Sequence, residues 1–178
     1  MSPPRSAHRI EVARAEHKFS CAHMTVFPDG RKERLHGHNY TVSVALDLGA
    51  VSFGGLIDFG AIKREVAALC AEWRERTLIA ERNPESRLRR AGGELELVLC
   101  GRRYVLPEED ALVLPIDNTT VEALSALGVE LLATRLAGVL AGSVAVGLEV
   151  RIEESPGQGA STYLELAGAG LTSVSRAE

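Results

Sequence analysis

Between residues 38 and 48 polar and apolar positions alternate. Tyr40, Val42, Val44, Leu46 and Leu48 share one face, and Asn39, Thr41, Ser43 and Asp47 the other, which predicts a half-buried strand. Residues 9–23 alternate more loosely and read as a long strand, followed by a polar turn region over 27–34 around Pro28 and Gly30. The period then changes. Ile62, Val66, Leu69, Cys70 and Trp73 recur at helical spacing behind Asp58, a capping residue, and predict a helix ending near Arg76. Residues 82–93 are polar and glycine-terminated and read as a loop. Residues 94–99 and 103–106 flank Cys100-Gly101-Arg102 as a hairpin. About 82–115 is therefore an insertion that covers an edge or extends the sheet. A second helix starts at Thr119 or Thr120, where Thr119-x-x-Glu122 fits a capping box. Its stripe is Val121, Leu124, Leu131, Leu132, Leu136, Val139 and Leu140. Residues 144–154 alternate again, with Val144, Val146, Leu148, Val150 and Ile152 pointing one way, and 161–166 form a last strand. The order strand, strand, helix, hairpin, helix, strand, strand predicts an α+β class.

Length and composition narrow the picture. A chain of 178 residues without repeats or a dividing linker reads as one domain over 1–178. Hydrophobic residues at 46% and charged residues at 25% exclude a disordered or collagen-like chain. A formal net charge of −4 argues against a dedicated nucleic-acid binder. No apolar run approaches the ~18 residues that span a bilayer. The three cysteines, Cys21, Cys70 and Cys100, are widely spread and suit a reducing compartment. The first residues lack the apolar stretch of a signal peptide, so a cytoplasmic location is expected. All five histidines fall at or before residue 38: His8, His17, His23, His36 and His38.

The sharpest chemical signal is His36-Gly37-His38 with His23 upstream. Strand residues i and i+2 share a face about 6–7 Å apart, so two imidazoles at that spacing converge. A third from the neighbouring strand completes a three-histidine set, the arrangement of a catalytic zinc site with one open position. Gly37 between them would let another chain or a ligand approach closely. Cys21 is the residue to watch as a fourth donor. His8 and His17 read as incidental. Glu154 continues the inward face of the strand that starts at Val144. It is either an anchor for a ligand with adjacent N–H donors or a solvated turn residue.

As a set, Phe19-Ser-Cys-Ala-His23, Leu35-His-Gly-His-Asn-Tyr40, Gly55-Leu-Ile-Asp-Phe59, Asn118-Thr-Thr-Val-Glu122 and Val150-Arg-Ile-Glu-Glu-Ser155 resemble the 6-pyruvoyl-tetrahydropterin synthase family, which includes 6-carboxytetrahydropterin synthase. The resemblance implies the tunnelling fold (T-fold), a four-stranded antiparallel sheet with two helices on one face, here with an inserted hairpin. It implies zinc held by His23, His36 and His38, Glu154 anchoring the aminopyrimidine edge of a pterin, and Thr120 placing a hydroxyl near it. It also implies a homo-oligomer joined at sheet edges, a hexamer of two stacked trimers.

The match breaks at the proton chemistry. The family's cysteine, four residues before the first histidine of the H-G-H element, is Lys32 here. The Asp-His pair after the first helix is absent from Arg74–Ile79, and no imidazole exists beyond His38. Glu33 lies three residues before His36, which looks like a branch where glutamate replaces the cysteine and the product is a hydroxymethylpterin. Glu33 is thus a general base or a solvated loop charge. Cys21 is a second candidate base or a small core residue. Three functions follow: a zinc-dependent lyase acting on the side chain of dihydroneopterin or its triphosphate, a zinc- and pterin-binding homologue without catalysis, and a metal-storage protein or unrelated hydrolase.

Overall fold

The computed structural model describes residues 8–49, 51 and 56–166; Gly55 of the third motif and residues 1–7 lie outside it. In chain order the elements are β1 (His8–His23), β2 (His36–Leu48), α1 (Phe59–Trp73), β3 (Arg76–Ala80), β4 (Ser86–Ala91), β5 (Glu94–Leu99), β6 (Arg102–Pro107), β7 (Ala111–Leu114), α2 (Val121–Arg135), α3 (Ala137–Leu140), β8 (Ala145–Ser155) and β9 (Gln158–Glu165). The inward face of β2 is as expected, with Tyr40, Val42, Val44, Leu46 and Leu48 all buried, and the alternation lapses only at Ala45, which is buried as well. Against that face pack the stripe of α1 (Ile62, Val66, Leu69, Cys70, Trp73) and, from α2, Leu124, Leu127 and Leu132, in one continuous core. Asp58 caps α1 as expected, accepting from the Gly60 amide at 2.7 Å. The helix stops at Trp73, and Arg76 already belongs to β3.

The expected four-stranded sheet becomes a six-stranded one in the order β7-β3-β1-β2-β8-β9, with a separate three-stranded sheet β4-β5-β6. The antiparallel strands β1, β2, β8 and β9 form the expected centre, and β3 and β7 extend it in parallel beside β1. Both added strands are covered on both faces. Leu78 and Leu114 enter the main core, while Ile79 and Ala111 enter a second cluster with Leu95, Leu97 and Leu99 of β5. Thr77, Leu78 and Ile79 are consecutively buried, so β3 carries no alternating signature. Residues 86–91, read as loop, form β4 by pairing with β5; the pairing, not apolar content, makes them a strand. Gly92 and Gly93 take φ of 62° and 80°, the conformation a two-residue hairpin turn demands.

Two strands carry irregularities. Between Asp47 and Leu48 the register to β8 shifts, so Gly147 and Ala145 are the paired residues. This bulge buries Ala145 and leaves Val146 half-buried, where unbroken alternation predicts the reverse. In β1 the register shifts between Ala13 and Lys18, which accounts for its loose pattern. His17 lies in that shift, only 1% exposed, with Nδ1 lacking a hydrogen-bond partner among the described residues.

Burial lowers the His17 pKa below its ordinary 6.5. The charged form is disfavoured in the folded chain, so this stabilisation is complete above about pH 6.5 and is lost as pH falls towards the lowered folded value. Urea unfolding midpoints are expected to fall on acidification below that point. The fall should be shallower in His17→Gln; equal slopes would show that His17 does not contribute.

Candidate metal centre and its surroundings

The site is built by register. Across β1 and β2, Phe19 faces Tyr40, Cys21 faces His38 and His23 faces His36. These six side chains occupy one face because strand positions two apart point the same way. Phe19 and Tyr40 stack at 5.0 Å between ring centres and continue the core up to the histidines. The rings of His23, His36 and His38 lie 4.6–5.4 Å apart, and one ligand nitrogen from each comes within 4.8 Å of the other two.

Hydrogen bonds to backbone carbonyls select the tautomers. His23 Nδ1 lies 2.9 Å from the Thr119 carbonyl and His36 Nδ1 2.8 Å from that of Arg34. A carbonyl only accepts, so Nδ1 carries the proton in both rings and Nε2 keeps its lone pair. The Tyr40 hydroxyl, 3.1 Å from His23 Nε2, donates to it. Burial, helped by the neighbouring His36 and His38, lowers the His23 pKa and keeps the ring neutral. Burial also raises the Tyr40 pKa, reinforced by Cys21, Glu154 and Glu33, so its proton stays available for donation. Two imidazoles with Nδ1 tied to carbonyls, and His38 converging on them, make a donor set suited to a divalent transition-metal ion.

Glu33 stands beside this set on a short hairpin. Its amide donates to the Thr25 carbonyl at 2.9 Å, its carboxylate accepts from the Thr25 amide at 3.3 Å, and Oε2 is 3.9 Å from His36 Nε2. Burial pushes its pKa up, but the Thr25 amide and the fields of His36 and His23 outweigh that, leaving it below its ordinary value. It is an ionised, half-exposed carboxylate. Cys21 is buried in the core with its thiol pushed up to about 12 by burial, the surroundings of a small core residue. Glu154 lies inside β8, half-buried, at a second register shift, and accepts from the Gln158 amide. Thr120 caps α2, its hydroxyl accepting from the Ala123 amide at 3.4 Å. His8 pairs with Leu48 at the opposite end of β1 from His23.

Two contributors escaped the sequence reading. Thr119, expected in a capping box, sends its hydroxyl to the Met24 carbonyl at 3.2 Å, so no such box forms. Asn118 grips the backbone of Val26 with both ends of its amide: Oδ1 accepts from the Val26 N–H at 3.1 Å and Nδ2 donates to the Val26 carbonyl at 2.8 Å. The Asn-Thr-Thr stretch signals a helix start, but nothing local reveals partners 92 to 96 positions away. Gly37 is required by its own sheet: a methyl there would lie 2.9 Å from the Cys21 carbonyl oxygen.

The family model for 6-pyruvoyl tetrahydropterin synthase matches residues 12–165. A provisionally named 6-carboxy-5,6,7,8-tetrahydropterin synthase of Methanocaldococcus jannaschii is 33% identical over 152 residues, 84% of this chain and 92% of that one. The crystal structure of Plasmodium vivax 6-pyruvoyl tetrahydropterin synthase superposes with a TM-score of 0.83 at 24% identity, covering 89% of this chain and 98% of that one, a likeness of fold. Two variants of that protein, in which a glutamate described as a catalytic residue is alanine or cysteine, superpose at 0.81.

Gly37→Ala forces β1 and β2 apart where the histidines face each other. It is expected to lower stability by about 1–3 kcal/mol in urea unfolding; an unchanged midpoint would show that the strands accommodate the methyl.

Proposed function

Because the chain belongs to the 6-pyruvoyl tetrahydropterin synthase family, we propose that it is a zinc-dependent lyase acting on the side chain of a dihydroneopterin-type pterin. The observation that carries this reading is the convergence of His23, His36 and His38 beside an ionised Glu33. His23, His36 and His38 would hold the ion, and zinc, when bound, polarises oxygens of the substrate side chain. Glu33 takes a proton from the side chain as general base; its lowered pKa keeps it ready to accept at neutral pH. Glu154 accepts N–H donors from the aminopyrimidine edge, displacing the Gln158 amide that engages it in this structure. Thr120 lies at the start of α2, where its hydroxyl stands near the pterin. A glutamate in the catalytic role has a precedent in the P. vivax protein.

Two further expectations belong to this reading. Edge-to-edge association into a homo-oligomer, expected to be a hexamer, is supported by the edge position of β9 and by the pairing of β3 to Cys21 and Ala22 alone of β1 among the described residues. A cytoplasmic location is consistent with three free cysteines. Among the described residues, no helix is long and apolar enough to cross a membrane. The lack of any histidine after His38 favours one alternative, a zinc- and pterin-binding homologue without catalysis.

Zinc-loaded protein incubated with dihydroneopterin triphosphate is expected to yield a new pterin, 6-hydroxymethyl-dihydropterin or a pyruvoyl- or carboxy-type product, resolved by chromatography. Glu33→Ala should lose about a hundredfold or more in turnover with zinc content intact. Glu154→Ala should weaken pterin binding by calorimetry. Pterin binding without turnover in the metal-loaded wild type would select the non-catalytic homologue, and neither binding nor turnover would overturn both.

A further inference from the structure

The sheet β4-β5-β6 contributes no residue to the chemistry above, yet it supports the hairpin that carries Glu33. Met24 and Val26, at the root of that hairpin, pack into the cluster formed with Leu95, Leu97 and Leu99 of β5, and Tyr104 of β6 borders the same cluster. Lys32, immediately before Glu33, spans the gap. Its ammonium lies 5.0 Å from the Tyr104 ring centre, donates to the Glu33 carbonyl at 2.8 Å and reaches the Met24 sulfur at 3.4 Å. A cation over a ring face is attracted by the ring's electron density. The backbone of Glu33 is thereby held from both sides, by Lys32 at its carbonyl and by Thr25 at its amide.

We propose that the inserted sheet is a buttress for the Glu33 hairpin, with Lys32 and Tyr104 as positioning residues that keep the carboxylate beside His36. The catalytic consequence rests on Glu33 being the proton acceptor. Lys32 acts through its bond to the Glu33 carbonyl and its contact with the Tyr104 ring, and Tyr104 acts through Lys32 and the apolar cluster.

Hydrogen exchange on the metal-free protein tests the buttress without reference to turnover. Lys32→Met and Tyr104→Leu are expected to speed exchange of the amides in 25–33 by about tenfold while leaving β8 unchanged. Lys32→Arg and Tyr104→Phe, which keep the cation and the ring, should restore most of the protection and guard against a general folding defect. In the zinc-loaded protein the disruptive pair should lower kcat about tenfold with KM within about twofold. Wild-type exchange over 25–33 in both disruptive variants, or a loss confined to KM, overturns the proposal. Wild-type turnover in Glu33→Ala would instead overturn the role of Glu33 as acceptor, while the exchange result would still decide the buttress.

Discussion

The register of β1 against β2 is the constraint on which the rest depends. One face of this pair carries Phe19 opposite Tyr40, Cys21 opposite His38 and His23 opposite His36. A slip of one residue would turn the three of one strand to the other face and part His23 from His36 and His38. Burial prevents the slip: Phe19 of β1 and Tyr40, Val42, Val44 and Leu46 of β2 are each at most 2% exposed, and a changed register would turn the apolar set of the slipped strand out of the core. The histidines share the same alternation, so the force that assembles the core also assembles the donor set.

A second constraint comes from the requirement that buried backbone groups be paired. After His23 the chain leaves the sheet as an irregular hairpin, and its polar groups are satisfied by the entry to α2. Asn118 serves Val26, Thr119 serves Met24, and the Thr119 carbonyl orients His23. One dipeptide thus supports both an imidazole of the three-histidine group and the hairpin bearing Glu33. The other side of that hairpin leans on the second apolar cluster, which exists because the insertion covers β3 and β7.

Burial also sorts the chemical roles. It keeps His23 neutral, Tyr40 a hydrogen-bond donor and Cys21 a protonated thiol, whereas Glu33, reached by an amide and two imidazoles, stays ionised. Among the groups first considered for proton transfer, Glu33 is therefore the one in a state to accept at neutral pH. This agrees with a chain that has no imidazole after His38.

Much of this was legible in the sequence where periodicity and local chemistry carry it. The faces of β2 and α1, the cap at Asp58, the hairpin β5-β6 and the histidine set all follow from spacings of two or from helical spacing. The rest was not legible for identifiable reasons. β3 is buried on both faces and does not alternate; β4 is a strand only because β5 pairs with it; the bulge at Val146 reverses a face without any local mark. The sequence by itself determined which residues share a face and which chemical types stand together. Tertiary structure alone decided the six-stranded sheet, the second core and the grip of Asn118 and Thr119. These depend on contacts between distant segments, whose energy comes from pairing buried polar groups and covering apolar strands and leaves no periodic trace in the chain.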